Sequence, residues 1–125
     1  MVVGIGTDII EIERIEKAIN ENKNFLEKVF TAKEIEMFNR RNMRAEVIAG
    51  NFAAKEAVSK ALGTGFRGFS LIDIEVLRDD LGKPIVYLSN DVYDIFNKKF
   101  VINLSISHNR TSAIAFAILE ELWLR

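Results

Sequence analysis

The sequence contains no cysteine, and it has only one histidine, His108, and one proline, Pro84. Without cysteine the chain has no disulfide, no thiol nucleophile and no cysteine-ligated zinc. A single histidine also excludes a metal site built from several histidines of one chain. No serine is accompanied by both a convincing base and an orienting acid, so the sequence argues against a hydrolase triad.

Long apolar runs and a strong charge of one sign are also missing. The chain has no run of about 18 apolar residues, so no transmembrane helix is predicted. Its first residues, MVVGIGTDIIEIERI, lack the basic region and cleavage site of a signal peptide, and we expect a cytoplasmic protein. The net charge of −1 creates no overall attraction to nucleic acid, although it does not exclude a local basic patch.

The composition is that of a globular protein, with 49% hydrophobic and 28% charged residues among 125. This length fits one domain over residues 1–125 with one core. The apolar content is on the high side for a short chain, which indicates that some surface is buried against another subunit.

The spacing of apolar residues predicts an α+β fold, in which an antiparallel sheet packs against helices on one side. Short turns between the later strands favour antiparallel pairing. The predicted elements are a strand at 2–6, helices at 9–22, 25–30, 31–41 and 44–62, a hairpin over 71–88, a helix at 89–100, and a hairpin of strands 101–108 and 112–122.

The predicted helix at 44–62 carries charge among many alanines. At roughly 100° per residue, one face is shared by four polar side chains, Lys55, Glu56, Ser59 and Lys60. One interpretation is a solvated face, with an i,i+4 ion pair between Glu56 and Lys60. The other is a site in which Glu56 binds a metal and Lys60 contacts a phosphate, which requires a second carboxylate nearby.

Asp8 is the candidate for that second carboxylate. It follows the predicted first strand, where it is either the N-cap of the next helix or a rigidly placed, exposed ligand. Together Asp8 and Glu56 would suit Mg²⁺, which is typically held by one or two carboxylates plus substrate phosphates. His108, at the end of a predicted strand, is either a structural or exposed residue or part of a site. The sequence alone does not bring these side chains together.

Five segments occur in a specific order: GIGTDIIEIERI, FTAKEIEMF, NFAAKEAVSKALGTG, DLGKP and LSISH. Their order and separations closely resemble the small, single-domain phosphopantetheinyl transferases, the holo-[acyl-carrier-protein] synthases. The resemblance covers essentially the whole chain, and Asp8 combined with AAKEAVSKALGTG is its most specific part. It implies the 4′-phosphopantetheinyl transferase fold and a homotrimer with active sites between neighbouring subunits.

The resemblance also implies a reaction, in which the 4′-phosphopantetheine of coenzyme A moves to a serine of apo acyl carrier protein. Adenosine 3′,5′-bisphosphate is released, and the product supports fatty acid biosynthesis. Asp8 and Glu56 match the Mg²⁺ ligands of the family, and with Lys60 they are the expected catalytic residues. Glu56 is also the candidate base for the serine proton, directly or through a water. The expected coenzyme A site comprises Lys60, Gly63, Gly65, Lys83, Pro84 and His108.

Arg14, on the predicted first helix, is the expected contact for the acidic carrier protein. A purely solvated face is the alternative, because several glutamates are interleaved with the basic residues of that helix. The resemblance to the family favours the docking role for Arg14.

One departure from the family pattern is Asn51, which stands where many members have arginine. If that arginine contacts a coenzyme A phosphate, the candidates here are Lys55, Arg44 or Arg67, by charge alone. Apart from the resemblance, two other classes stay open. One is a non-enzymatic module that binds coenzyme A or a carrier protein, and the other is a Mg²⁺-dependent hydrolase of nucleotide pyrophosphates.

Overall fold

The structure, a computed structural model, describes residues 1–63 and 67–122 and has the predicted α+β architecture. A short 3₁₀ helix (Leu71–Asp73) precedes the second strand. The strands and α-helices are, in chain order, β1 (Val2–Glu11), α1 (Ile12–Glu21), α2 (Phe25–Val29), α3 (Ala32–Arg40), α4 (Ala45–Leu62), β2 (Ile74–Arg78), β3 (Pro84–Leu88), α5 (Asn90–Phe96), β4 (Phe100–His108) and β5 (Ser112–Glu121). None of the described helices is long and apolar enough to cross a membrane.

The strands form two antiparallel sheets rather than one. In the larger sheet β5 lies between β1 and β4, whereas β2 and β3 pair with each other in a second sheet. Helix α4 packs on the larger sheet and also contacts β2, so it lies at the centre of the fold. All the alanines of α4 except Ala45 are buried, and small side chains allow a helix to approach a sheet closely.

Two glycines bring β1 into direct contact with the backbone of α4. A Cβ atom added at Gly6 would lie 1.9 Å from the carbonyl oxygen of Ala57, and one at Gly4 would lie 2.0 Å from that of Ala61. Neither position has room for any side chain. Because alternate residues of a strand share one face, Asp8 lies on the same face as these glycines, beside α4.

We expect Gly6→Ala to lower the free energy of unfolding by about 1–3 kcal/mol, because the added methyl group would force β1 away from α4. Gly50→Ala is the matched control, since its Cβ would meet only a side-chain methyl of Ile106, at 2.9 Å. Alanine is also preferred over glycine in a helix, which offsets part of that contact. Urea denaturation at one fixed protein concentration measures both variants. An equal loss in the two would contradict the importance of the backbone contact.

The first strand is longer than predicted. It runs to Glu11 instead of ending at Gly6, because its residues as far as Glu11 pair with β5. Ile9 and Ile10 therefore belong to the strand, where Ile9 is exposed and Ile10 packs against the core. The helix predicted over 9–22 begins only at Ile12. The helix was predicted to begin too early because isoleucines at helical spacing also occur in residues 9–11, which pair with β5 as a strand.

Asp8 consequently lies inside β1, opposite Ala115 of β5, and its interpretation as a helix N-cap is wrong. The N-cap of α1 is Glu11, which makes no side-chain capping bond. The predicted hairpin over 71–88 is also shorter, because Leu71–Asp73 forms the 3₁₀ helix and β2 starts at Ile74.

The face of the larger sheet opposite α4 is rich in exposed apolar side chains. Ile5 and Ile9 of β1 are 63% and 67% exposed, and they are joined by Ile114 and Phe116 of β5 and Val101 of β4. An apolar face of this kind is typical of a surface that another protein chain covers.

Candidate active site

One cleft of about 400 Å³ brings Asp8 of β1 and Glu56 of α4 to the same place. Arg14 of α1 lines the same cleft. The rest of its wall is mainly apolar and is formed by Ile9, Ile10, Ile15, Ala18, Phe25 and Phe52. The cleft therefore combines two carboxylates, one cation and an apolar wall.

The two carboxylates influence each other. Burial raises the pKa of the Glu56 carboxyl above its ordinary value, and the negative charge of Asp8 raises it further, while Lys60 acts in the opposite direction. Two carboxylates that repel each other in a half-buried cleft would be stabilised by a bound cation.

Lys60 supplies a positive charge that compensates part of the negative charge of the cleft, and its ion pair is with Asp8 rather than with Glu56. Its Nζ donates a hydrogen bond to the backbone oxygen of Thr7 at 2.9 Å and lies 3.3 Å from Asp8 Oδ1. The i,i+4 ion pair with Glu56 is not among the ion pairs of the described residues. Helix α4 thus presents Glu56 and Lys60 one turn apart, and Asp8 of the neighbouring strand interacts electrostatically with both.

The donor atoms of this cleft fit Mg²⁺. Both candidate ligands are carboxylates, the hard oxygen donors that Mg²⁺ prefers. In the part of the chain that the structure describes, no group of three or more His, Cys, Asp or Glu residues could hold a metal ion. Two protein ligands would leave the other coordination positions to water and to substrate phosphates, as is usual for Mg²⁺.

The interpretation of the polar face of α4 as a solvated face is wrong at two of its four positions. Lys55 is fully buried and Ser59 is 3% exposed. Lys55 Nζ lies 2.6 Å from Glu34 Oε1 and also donates hydrogen bonds to the backbone oxygens of Leu71 and Ile74. Lys55 is therefore unavailable as a coenzyme A phosphate contact.

Asn51 belongs to the same buried group, which we call the buried polar cluster: Glu34, Asn51 and Lys55. Asn51 Nδ2 donates to Glu34 Oε2 at 3.1 Å and to the backbone oxygen of Val76 at 2.9 Å. The backbone amides of Thr31 and Val76 also donate to the Glu34 carboxylate. The side chain at position 51 thus points into the core of this protein.

The other expected coenzyme A residues are not at this cleft within one chain. His108 is exposed on β4, and the register places it across β5 from Ile10 of β1. Lys83 and Pro84 lie at the turn between β2 and β3, in the second sheet. Gly63 ends α4 in the left-handed conformation, with φ of 82°.

Three further residues were expected to contact coenzyme A or its phosphates: Gly65, Arg44 and Arg67. Gly65 lies outside the described residues. Arg44 pairs with Glu46 at 3.4 Å, and Arg67 is exposed. Neither Arg41 nor Arg78 stood out in the sequence, and both line a second cleft because α3 packs beside β2. No sequence spacing links two residues so far apart in the chain.

Comparison with known proteins identifies the family. The family model of the 4′-phosphopantetheinyl transferase superfamily matches residues 4–117 of this chain. A holo-[acyl-carrier-protein] synthase of Clostridium botulinum (strain Alaska E43 / Type E3) is 64% identical over 121 residues, which cover 96% of this chain and 98% of that protein. The enzyme of that name from Clostridium perfringens (strain ATCC 13124) is 62% identical over 126 residues, covering 96% and 95%.

Solved structures agree with the sequence match. The holo-(acyl-carrier-protein) synthase of Bacillus anthracis in complex with CoA (3′,5′-ADP) superposes with a TM-score of 0.80, at 42% identity and 97% coverage of each chain. The Helicobacter pylori synthase in complex with coenzyme A gives a TM-score of 0.82 at 37% identity, covering 93% of this chain and 99% of that one. The chain belongs to the 4′-phosphopantetheinyl transferase superfamily, as one of its holo-[acyl-carrier-protein] synthases.

Proposed function

We propose that this chain catalyses the Mg²⁺-dependent transfer of 4′-phosphopantetheine from coenzyme A to a serine of apo acyl carrier protein. The reaction releases adenosine 3′,5′-bisphosphate and supports fatty acid biosynthesis in the cytoplasm. The cleft shared by Asp8 and Glu56 is the observation that carries this proposal. The coenzyme A bound in the Bacillus anthracis and Helicobacter pylori synthases supports the donor. The names of the relatives support the acceptor.

The transfer makes one bond to phosphorus and breaks another. The serine oxygen of the carrier protein bonds to the β-phosphorus of coenzyme A. The bond from that phosphorus to the bridging oxygen breaks, and the leaving group keeps the α-phosphate. The serine proton passes to a base. Such reactions depend mainly on positioning and on stabilising negative charge that spreads over the phosphate oxygens.

The cleft offers a residue for each of these tasks. Asp8 and Glu56 would hold Mg²⁺, which stabilises the charge of the pyrophosphate when it is bound. Lys60 brings a mobile cation to the same place, and its half-exposed ammonium group can turn from Asp8 to a phosphate. Glu56 takes the serine proton, directly or through a water. Lys60, Gly63, Gly65, Lys83, Pro84 and His108 bind coenzyme A.

We further propose that the protein is a homotrimer whose active sites lie between subunits. Two observations support this. The exposed apolar face of the larger sheet suits a subunit interface. His108, Lys83 and Pro84 lie apart from the cleft of their own chain, so a neighbouring chain would have to supply them. Analytical ultracentrifugation at micromolar concentration should give three times the protomer mass, and a monomer would contradict this part of the proposal.

The central test is mass spectrometry of the acceptor. The protein is incubated with coenzyme A, Mg²⁺ and an apo acyl carrier protein, with and without excess chelator. The carrier should gain the mass of phosphopantetheine, and the chelator should abolish that gain. Binding of carrier or coenzyme A without any gain in mass would identify a binding module. Cleavage of coenzyme A with an unmodified carrier would identify a hydrolase.

Arg14→Glu is expected to raise the KM for carrier protein about fivefold to tenfold, while the KM for coenzyme A stays nearly constant. Arg14 lines the cleft, and a charge at the rim of an interface acts mainly on the association of an oppositely charged partner. Steady-state kinetics in each substrate measure the two constants, and the effect should shrink at high salt.

Lys17→Glu is the matched control for that variant. Lys17 lies on the same helix and pairs with Glu13 at 3.9 Å, but it is not among the residues that line the cleft. Both KM values should stay near those of the unmodified protein. Equal increases of both constants in Arg14→Glu would argue against a docking role.

A further inference from the structure

A second cleft, of about 430 Å³, lies between α3 and β2 and carries an excess of positive charge. Four cationic side chains line it, and only two carboxylates do. These charged residues are Lys33, Arg40, Arg41 and Arg78, with Glu36 and Asp79. The residues that line this cleft differ throughout from those that line the cleft of Asp8 and Glu56.

Both carboxylates of this cleft already have partners. Glu36 Oε1 lies 3.6 Å from Arg40 Nη1, one turn along α3. Asp79 Oδ1 accepts hydrogen bonds from the backbone amides of Leu81 and Lys83, at 2.9 and 2.8 Å, in the turn between β2 and β3. Among the ion pairs of the described residues, neither carboxylate pairs with Arg41 or Arg78.

Arg41 and Arg78 are the two arginines of this cleft that have no counterion within the described part of the chain. Neither guanidinium has an ion pair among the described residues, and Arg78 Nη1 donates to the backbone oxygen of Leu77 at 3.2 Å. Burial, together with the charge of Arg41, lowers the pKa of Arg78 to about 10, against the pull of Glu34. Glu34 is itself occupied by Lys55. Because the guanidinium of Arg78 is partly removed from water and faces the like charge of the exposed Arg41, an anion that joins the two would stabilise the protein.

We infer that Arg41 and Arg78 form a binding site for a phosphate monoester, with Lys33 at its edge. Guanidinium groups present paired N–H donors whose spacing matches phosphate oxygens, and two of them suit a dianion. Arg78 ends β2 and lies opposite Pro84, so the site adjoins the turn that carries Lys83 and Pro84. A carboxylate ligand fits less well, because a single negative charge would leave one arginine unpaired.

Two kinds of ligand carry such a phosphate monoester. One is the 3′-phosphate of coenzyme A held in the active site of a neighbouring copy, which rests on the proposed function. The other is a free phosphate compound that binds independently of the reaction. The two sources are separated by comparing coenzyme A with 3′-dephospho-coenzyme A as substrates.

The first measurement is a titration of the full-length protein with inorganic phosphate, followed by isothermal calorimetry. Arg41 is exposed, so Arg41→Gln should keep the fold. This variant should bind phosphate about tenfold more weakly than the unmodified protein. Glu36→Gln removes a carboxylate from the same cleft and should bind phosphate more tightly. Lys98→Gln removes an equal charge elsewhere on the surface, where Lys98 pairs with Glu121, and should bind as the unmodified protein does.

The second measurement is the ratio of KM values for the two substrates in the unmodified protein and in Arg41→Gln. A rise in KM for coenzyme A alone assigns the site to the 3′-phosphate. Weaker phosphate binding with an unchanged ratio supports the site and assigns it to a free phosphate compound. No saturable phosphate binding together with an unchanged ratio overturns the inference. If the unmodified protein transfers no phosphopantetheine, the proposed function fails, and the phosphate titration still decides the site.

Discussion

Glu56→Gln is expected to reduce turnover about a thousandfold or more while the protein stays folded. Glutamine has nearly the shape of glutamate, but it removes one of the two carboxylates at the cleft and the candidate base with it. Losing the stabilisation that a bound metal ion gives to the phosphate charge raises the energy of the transition state by several kcal/mol. About 4 kcal/mol corresponds to a factor of a thousand in rate.

The same substitution should not weaken the fold. Burial and Asp8 raise the pKa of Glu56, which means that the folded protein disfavours its ionised form. Such a group contributes stability only at low pH and loses it as the pH rises through the raised value. At neutral pH a neutral glutamine should therefore leave the metal-free protein as stable as the unmodified protein, or more so. Loss of activity and loss of stability are thus expected to separate in this variant.

The measurement combines turnover by mass spectrometry with urea denaturation and a Mg²⁺ titration of activity. Glu46→Gln is the control, since Glu46 lies on the same helix, pairs with Arg44 and is not among the residues that line the cleft. It should keep near-normal turnover. Unchanged turnover in Glu56→Gln would remove this residue from the mechanism and leave Asp8 as the sole carboxylate of the proposed metal site.

Local patterns in the sequence predicted most of the fold. The helix expected over 44–62 runs from Ala45 to Leu62, and Gly63 ends it as expected. The last hairpin was expected at 101–108 and 112–122, and its strands are Phe100–His108 and Ser112–Glu121. These elements depend on helical or alternating periodicity and on glycine and turn residues, which are properties of neighbouring positions.

The errors arose where a distant partner decides the outcome. Helical spacing placed Lys55 on one polar face with Glu56 and Lys60, but Glu34, which is 21 positions away in the chain, draws its ammonium group into the core. Pairing with β5 likewise keeps Ile9 and Ile10 in a strand. The placement of Asp8 beside Glu56 also depends on contacts between distant segments, so the resemblance to a family indicated it and the residue spacing did not.

Lys55→Met is the second variant with a large expected effect, a loss of about 3–5 kcal/mol in the free energy of unfolding. Lys55 and Glu34 are both fully buried, with 2.6 Å between Nζ and Oε1. Methionine fills a similar volume but leaves the Glu34 charge without its cation. It also removes the donor to the backbone oxygens of Leu71 and Ile74. An unpaired buried charge costs far more than the intact pair contributes.

A double variant, Glu34→Gln with Lys55→Met, tests whether the charge or the packing is responsible. Neither side chain is charged in the double variant, so its loss should be clearly smaller than the sum of the two single losses. Urea denaturation of the four proteins at one concentration gives the coupling energy. Strictly additive losses would show that Lys55 and Glu34 stabilise the fold independently.

Kinetics of the Lys55→Met variant distinguish a structural role from a substrate contact. Because Lys55 is fully buried, the folded fraction of the variant should keep a KM for coenzyme A close to that of the unmodified protein. A stable Lys55→Met protein with a strongly raised KM for coenzyme A would mean that the ammonium group reaches the substrate. That result would contradict the buried polar cluster. The expected pattern, lower stability with unchanged affinity, assigns Lys55 to the support of α4 and leaves Glu56 and Lys60 as the residues of this helix that are proposed to act at the cleft.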